Sequence, residues 1–194
     1  MDVPELIRQL QQGSPEAFRQ LVDTYQNRVY NTVLAIVQQP EDAEDVAQDV
    51  FIQIFESIHQ FGGELKLTAW VYRIATTKAL ESYRRRHARK RFAFLTSLFG
   101  TDDDEPLSER YHPADFVHPG VQLEQQERAT LLFRAISRLP EQQKVAFTLH
   151  HVEGLTYQEI TEVMHTSRPA VESLLHRARQ NLRKRLARYY TDDH

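Results

Sequence analysis

The chain has no cysteine, a single tryptophan and no long apolar run. Without cysteine it can form neither disulfides nor thiolate metal sites, which fits a reducing cytoplasm. The longest apolar stretch, VYNTVLAIV at 29–37, contains Asn31 and Thr32 and is far shorter than the ~20 residues that a membrane helix needs. The N-terminus has no basic start followed by an apolar core, so no secretion signal is predicted. We therefore expect a cytoplasmic protein without membrane insertion.

The formal net charge of −3 hides a strongly uneven distribution of charge along the chain. Acids dominate residues 41–49 and 102–127, whereas bases dominate residues 84–91 and 168–188. Two separate basic segments can each meet phosphate while the acidic surfaces face another partner. The average charge therefore excludes neither a DNA partner nor a protein partner.

Apolar residues recur at helical spacing along most of the chain, and strand-like alternation is scarce. Ser14 is a good N-cap, with Pro15 behind it, for a helix that should stop before Pro40. Further helices are predicted over 41–59 and from a Thr68 cap to about Arg91. The pattern predicts an all-α protein.

Helical periodicity fails at 99–120, a segment with clustered acids and three of the eight prolines. It resumes at about Val121. We predict two small helical domains, at 1–94 and 123–194, joined by a flexible acidic linker at 95–122.

The helix predicted at 41–59 has two contrasting faces. Its broad apolar face, which we expect to be buried, comprises Val46, Val50, Phe51, Ile54, Phe55 and Ile58. The opposite face carries Asp45, Gln48, Asp49 and Glu56 around a central Ile52. A solvated face with one stray isoleucine explains this pattern, and so does a docking surface with an apolar centre and an acidic rim.

The next helix mixes aromatic and basic side chains. Trp70, Arg73, Thr77 and Arg84 share one strip, a combination that suits single-stranded nucleic acid. Core packing explains Trp70 and Tyr72 equally well. The six bases within 84–91 need water or phosphate around them.

Residues 157–186, YQEITEVMHTSRPAVESLLHRARQNLRKRL, read as two helices around a tight turn. The second helix has an inward apolar stripe of Val171, Leu174, Leu175, Ala178, Leu182 and Leu186. In a helix-turn-helix the first residues of such a helix touch base edges in the major groove. An ordinary helical hairpin with a solvated basic face is the alternative.

Taken together, three segments resemble a bacterial ECF sigma factor, the smallest class of promoter-specificity subunit of RNA polymerase. DAEDVAQDVFIQIF at 42–55 is similar to that family's polymerase-clamp-binding helix. WVYRIATTKALESYRRR at 70–86 is similar to the segment that captures the melted −10 strand. LPEQQKVAFTLHHVEGLTYQEIT at 139–161, followed by LLHRAR at 174–179, resembles the module that reads the −35 element.

The resemblance implies partners and roles for individual residues. Core polymerase, through the clamp of its largest subunit, would bind Asp45, Gln48, Asp49 and Ile52. Promoter DNA in the −10 region would contact Trp70, Arg73, Thr77, Arg84, Arg85 and Arg86. Promoter DNA in the −35 region would contact Arg168, Glu172, Ser173, His176 and Arg177. An anti-sigma factor is a further expected partner, and no catalysis, cofactor or metal is implied.

Two positions depart from the family pattern. The family commonly has IARN where this chain has IATT, so Thr77 takes the place of an asparagine. The threonine side chain is shorter than that of asparagine, and its hydroxyl offers a base only one hydrogen-bond donor. Glu172 repels phosphate but can accept a hydrogen bond from cytosine N4 in the groove. The sequence leaves open an unusual −35 element or weaker binding there.

Two other functions make different predictions for this chain. A stand-alone helix-turn-helix regulator with an N-terminal sensing or dimerisation domain would bind duplex DNA tightly without polymerase. A helical metal hydrolase would need ligands among the nine histidines. However, His150 and His151 are adjacent and point apart on a helix, while His112 and His118 each precede a proline in the predicted linker.

Overall fold

The computed structural model describes residues 3–63, 66–99 and 131–191, with side chains described outside 90–99 and 188–191. These residues contain helices and no strand, which confirms the all-α prediction. No described helix has the length and apolarity to cross a membrane. In chain order the elements are α1 (Val3–Gln11), α2 (Pro15–Val37), α3 (Pro40–Ser57), a 3-10 turn (Ile58–Gln60), α4 (Leu67–Phe99), α5 (131–137), α6 (Glu141–Phe147), a π-helical turn (Thr148–Val152), α7 (Tyr157–Met164) and α8 (Arg168–Thr191).

Helix α2 begins and ends as its sequence predicts. The Ser14 hydroxyl accepts a hydrogen bond from the backbone N–H of Ala17 at 3.3 Å, so one free N–H of the first turn is satisfied. At the other end Gln38 adopts the left-handed conformation, with φ 66°, and its N–H bonds the carbonyl of Leu34 at 2.9 Å. Pro40 then starts α3.

Helix α4 differs from its prediction at both ends. It begins at Leu67, so Thr68 lies inside the helix, and its hydroxyl contacts the Tyr25 hydroxyl at 2.9 Å instead of capping. The helix continues to Phe99, beyond the end predicted near Arg91. Most of the predicted linker lies outside the described residues, and the domain boundaries stay a prediction.

The core of the first half lies between α1, α2, α3 and α4, and Leu21, Val29, Val50, Ile54 and Tyr72 are fully buried in it. Phe55 was predicted to be buried, and this was wrong, because its side chain is 58% exposed. At 100° per residue Phe55 lies at the edge of the apolar arc of α3. The neighbouring helices cover only the centre of that arc, and Phe55 makes an edge contact with the Phe18 ring at 5.2 Å.

The second half builds the predicted pair of helices around a short turn. Helix α7 starts with a capping box between Thr156 and Glu159 and ends at His165, which has φ 49°. Helix α8 starts three residues later, at Arg168. The predicted stripe of α8 points inward: Val171, Leu175, Ala178 and Leu182 are buried, and Leu174 and Leu186 are partly buried.

The two halves pack directly against each other. A single apolar cluster joins the core of the first half to buried residues of the second half, including Val145, Ala146, Leu149, Leu155 and Ile160. Helix α7 lies against α4, and α6 lies against α2. This packing brings residues of the second half onto the basic helix α4.

Candidate functional site

Helix α3 presents an acidic ridge, which we define as Asp45, Gln48, Asp49 and Ile52. All four side chains are exposed, on the side of α3 away from the core. Among the described residues, neither Asp45 nor Asp49 forms an ion pair with a base, so their charges face solvent. Ile52 is 55% exposed between them. The ridge has the geometry of a docking surface with an apolar centre and an acidic rim.

Phe55 extends this apolar centre by one helical turn. It lies three residues after Ile52, and three-residue neighbours share a helix face. Two large apolar side chains, each more than half exposed, therefore stand side by side next to Asp49. Sequence reasoning missed Phe55 because it assigned the residue to the buried face. Its position at the edge of the apolar arc was the available signal.

The two aromatic residues at the start of α4, Trp70 and Tyr72, differ in burial. Tyr72 is fully buried, so packing explains it, and burial followed by its hydrogen bond to Glu153 raises the pKa of the Tyr72 phenol. Trp70 is partly buried, with its ring centroid 5.2 Å from that of Phe61. Thr77 is exposed on the outer side of the helix. Arg73 is partly buried and donates to Nδ1 of His165 at 2.7 Å.

The three consecutive arginines of α4 have three different environments. Nη2 of Arg84 lies 2.9 Å from a carboxylate oxygen of Glu141, at the start of α6. Arg86 is ion-paired with Asp42, in the first turn of α3. Arg85 is exposed and has no ion pair within the described part of the chain. Acids that are remote in sequence thus offset two charges that were expected to need water or phosphate.

The start of α8 presents the second group of predicted DNA contacts. Arg168 and Glu172, four residues apart and both exposed, form an ion pair at 3.2 Å. His176 contacts Gln180 at 2.9 Å, and Arg177 is exposed. Ser173 is partly buried. The Arg168 guanidinium offsets the charge of Glu172, which lessens the repulsion that this acid exerts on phosphate.

The adjacent histidines of the π-helical turn are engaged in packing. Adjacent helical positions predict that His150 and His151 point apart, but in the π-helical turn their ring centroids lie only 4.7 Å from each other. Nδ1 of His150 lies 2.9 Å from the carbonyl oxygen of Leu155. Burial, followed by the nearby His150, lowers the pKa of His151. The described residues hold no group of three or more His, Cys, Asp or Glu that could bind a metal ion.

Comparison with known proteins identifies the family. Residues 21–89 match the family described as Sigma-70 region 2, and residues 129–182 match the family described as Sigma-70, region 4. The chain is 33% identical over 181 residues to the ECF RNA polymerase sigma-E factor of Haemophilus influenzae, and the match covers 93% of each chain. The chain belongs to the ECF sigma factors. This sigma factor therefore binds core RNA polymerase and directs transcription initiation at promoters.

Two solved structures share the fold of this sigma factor. CnrH, in complex with the cytosolic domain of CnrY, has a TM-score of 0.68 at 22% identity, with 95% of this chain and 97% of that chain covered. The sigma factor RpoE of Bartonella quintana, in complex with the anti-sigma factor NepR, has a TM-score of 0.66 at 19% identity, with 88% and 96% covered. The matches to the Sigma-70 region 2 and region 4 families and to the Haemophilus influenzae sigma-E factor do not favour the alternative of a stand-alone helix-turn-helix regulator.

In this sigma factor the acidic ridge and the basic helix α4 both fall within the match to region 2, up to residue 89. Helices α6 and α7 and most of α8 fall within the match to region 4, which ends at residue 182. The structure thus brings the candidate −10 residues of α4 next to the part of the molecule that matches region 4, with Arg73 and Arg84 in direct contact with it.

Proposed function

We propose that this sigma factor divides its work among three surfaces. The acidic ridge of α3 binds the clamp of the largest polymerase subunit. Helix α4 captures the −10 strand, and the start of α8 reads the −35 element. The observation that carries the proposal is the distribution of charge over these three surfaces. Helix α3 contains no lysine or arginine and exposes Asp45 and Asp49, whereas α4 exposes Arg84 and Arg85 and the start of α8 exposes Arg168 and Arg177.

The ridge suits a protein partner better than DNA. Asp45 and Asp49 would repel phosphate, and their exposed carboxylates are available to basic side chains of a partner. Ile52 and Phe55 supply apolar area at the centre of the same surface. We therefore propose that Phe55 contacts the clamp together with Asp45, Gln48, Asp49 and Ile52.

The −10 surface combines one aromatic side chain with polar and basic ones. Trp70 offers part of its ring for base stacking, and Thr77 offers an exposed hydroxyl that can accept or donate a hydrogen bond. Arg73, Arg84, Arg85 and Arg86 supply positive charge for the strand backbone. Extruding one base costs a few kcal/mol, which stacking and phosphate contacts can offset. Strand opening would then start at the extruded base.

At the −35 element, the exposed start of α8 would enter the major groove. Arg168 and Arg177 would supply base or phosphate contacts, and His176 and Ser173 would supply hydrogen bonds. Glu172 can accept from cytosine N4 once Arg168 releases it. This leads us to expect a cytosine preference at one position of the element.

The remaining parts of the proposal concern organisation and control. We propose a −10 domain at 1–94, a linker at 95–122 and a −35 domain at 123–194, acting on polymerase in the cytoplasm without catalysing a reaction itself. An anti-sigma factor is a proposed regulator. The fold match to the Bartonella quintana sigma factor, which was solved with its anti-sigma factor, supports this regulation.

The deciding experiment is reconstitution with core polymerase, followed by transcription from a library of genomic fragments. The Asp49→Arg variant should lose core binding in a pull-down while its thermal unfolding is unchanged, because Asp49 is exposed and has no ion pair with any described residue. Asp23→Arg, an exposed acid on α2, is the matched control and should bind normally. Core binding by Asp49→Arg at the wild-type level would show that the ridge is merely solvated.

A further inference from the structure

A buried carboxylate joins the two halves of this sigma factor. Glu153 lies between the π-helical turn and α7, its side chain is only 3% exposed, and it is the only buried acid among the residues that the structure describes. Burying a charge is unfavourable unless hydrogen bonds and opposite charge compensate for it. The partners of Glu153 therefore decide whether this arrangement is stable.

Within the described residues, all the side chains that bond Glu153 come from the first half of the chain. The Thr32 hydroxyl donates to Oε1 at 3.0 Å, and the Tyr72 hydroxyl donates to Oε2. Nε of Arg28 donates to Oε2 at 3.2 Å, and Nη2 of Arg28 donates to the backbone carbonyl of Glu153 at 3.0 Å. The Arg28 guanidinium also lies over the Tyr72 ring, 5.5 Å from its centroid.

The acceptor lies in the second half and its donors lie in the first half. The contact is therefore made when the halves pack together and lost when they separate. Separating the halves would leave the donors of Thr32 and Tyr72 without their acceptor, and would return the Glu153 carboxylate to water. We infer that Glu153 is a latch that holds the free sigma factor closed, and that binding partners must open it. The regulatory part of this inference rests on the proposed −10 role of α4.

The closed arrangement covers residues proposed to bind the promoter. Arg73 donates to His165 at the end of α7, and Arg84 is ion-paired with Glu141 at the start of α6. Lys144 of α6 is 1% exposed, and its Nζ lies 4.6 Å from the centroid of the Tyr83 ring of α4. Two of the proposed −10 cations are therefore occupied by the half that should be reading the −35 element.

Promoter geometry requires these contacts to break. The −10 and −35 elements lie about 25 base pairs apart, which at about 3.4 Å per base pair is about 85 Å along the duplex. In the closed form Arg73 of the −10 helix lies 2.7 Å from His165 of the −35 half. One molecule cannot bind both elements in this arrangement, so the latch opposes promoter binding by the free chain.

The absence of native cysteine makes the test direct. Spin labels at Asp23→Cys and Gln142→Cys, both exposed and one in each half, would report the distance between the halves by pulsed electron paramagnetic resonance. Glu153→Ala removes the acceptor, and Thr32→Val removes one donor with little change of shape. The matched controls are Thr24→Val, whose hydroxyl bonds only its own helix at Gln20, and Glu162→Ala, an acid of α7 with no hydrogen bond or ion pair among the described residues.

A hydrogen bond to a charged acceptor contributes enough to change an equilibrium about tenfold. We expect the long-distance population to grow relative to the short one by about this factor in Thr32→Val, and by more in Glu153→Ala, which removes the acceptor of three donors. The affinity of the free chain for a single-stranded −10 oligonucleotide should rise by the same factor as the open population, because only the open conformation can bind it. Both controls should match the unmodified chain.

The two readouts distinguish the latch from the proposed promoter contacts. Longer distances without a gain in oligonucleotide affinity would support the latch and contradict the −10 role of α4. Unchanged distances in Thr32→Val and Glu153→Ala would overturn the latch, whatever the affinity does. If Glu153→Ala fails to fold by circular dichroism, Thr32→Val alone decides, since it leaves the carboxylate and its other donors in place.

Discussion

Arg84, Arg85 and Arg86 follow one another in α4, but they should contribute unequally to promoter binding. Arg86 is held by Asp42 of α3, within the same half of the molecule, so this pair persists when the halves separate. Arg84 is held by Glu141 of the other half and is released by separation. Arg85 has no ion pair among the described residues in either case. Replacement of each arginine by alanine in turn tests this ranking.

The magnitude follows from counterion release. Each phosphate contact on a single strand contributes about 0.7 to the slope of log K against log salt concentration. Arg84→Ala and Arg85→Ala should each lower the slope of the polymerase holoenzyme by about 0.7. Between about 50 and 200 mM salt this corresponds to about a 2.6-fold smaller loss of affinity for each variant. Arg86→Ala should lower the slope by less, because Asp42 already offsets much of its charge.

The assay is promoter binding by holoenzyme, measured by fluorescence anisotropy over a salt series. Asp42→Asn supplies the internal control, because it frees Arg86. In the Asp42→Asn background, Arg86→Ala should lower the slope by the same amount as Arg85→Ala does. Equal slopes for Arg85→Ala and Arg86→Ala in the unmodified background would refute the role of Asp42. Unchanged slopes in all three variants would refute phosphate contact by this segment.

Three further predictions concern single side chains. Phe55→Ser should weaken core polymerase binding in a pull-down but change the unfolding temperature little, because Phe55 is 58% exposed; a large loss of stability would contradict its surface role. Burial lowers the pKa of Lys144 to about 8 from about 10.5. The free-energy cost of burying the charged amine is therefore fully present below pH 8 and is lost as the pH rises to about 10.5. Lys144→Met should accordingly raise stability at pH 7 by up to about 3 kcal/mol, with a gain that disappears above pH 10.5 in thermal unfolding; a gain independent of pH would contradict the pKa assignment. Glu159→Ala should cost about 1 kcal/mol at pH 7 by loss of the capping box. The backbone hydrogen bond from Thr156 lowers the pKa of Glu159, so this contribution is present above pH 4.5 and should be lost in melts at lower pH.

Capping residues and helical periodicity were sufficient to predict the helices and the exposure of most of the candidate surfaces. Ser14 caps α2 as predicted, since capping depends only on side chains within one turn. The inward stripe of α8 follows from a 3.6-residue period that any buried helix must satisfy. The exposure of Asp45, Asp49 and Ile52 could likewise be predicted, because these residues lie opposite the apolar face of α3. Their binding roles came from the family resemblance and stay a proposal.

Helical periodicity could not predict how much of an apolar face the neighbouring helices cover. It assigned Phe55 to the core because Phe55 belongs to the apolar arc of α3, although the neighbouring helices do not cover the edge of that arc. Periodicity also could not decide whether Trp70 and Tyr72 pack in the core or stack on bases. The structure buries Tyr72 completely and Trp70 partly, because the positions of the other helices determine which part of α4 they cover.

By itself the sequence determined an all-helical chain with segregated charge, because periodicity, capping and charge runs are properties of neighbouring residues. Only the tertiary structure decided which charges meet. Asp42 pairs with Arg86 across 44 positions, Glu141 with Arg84 across 57, and Glu153 with Arg28 across 125. No local pattern specifies such pairs, since they depend on how whole helices pack and on which buried polar groups must find a partner at the interface.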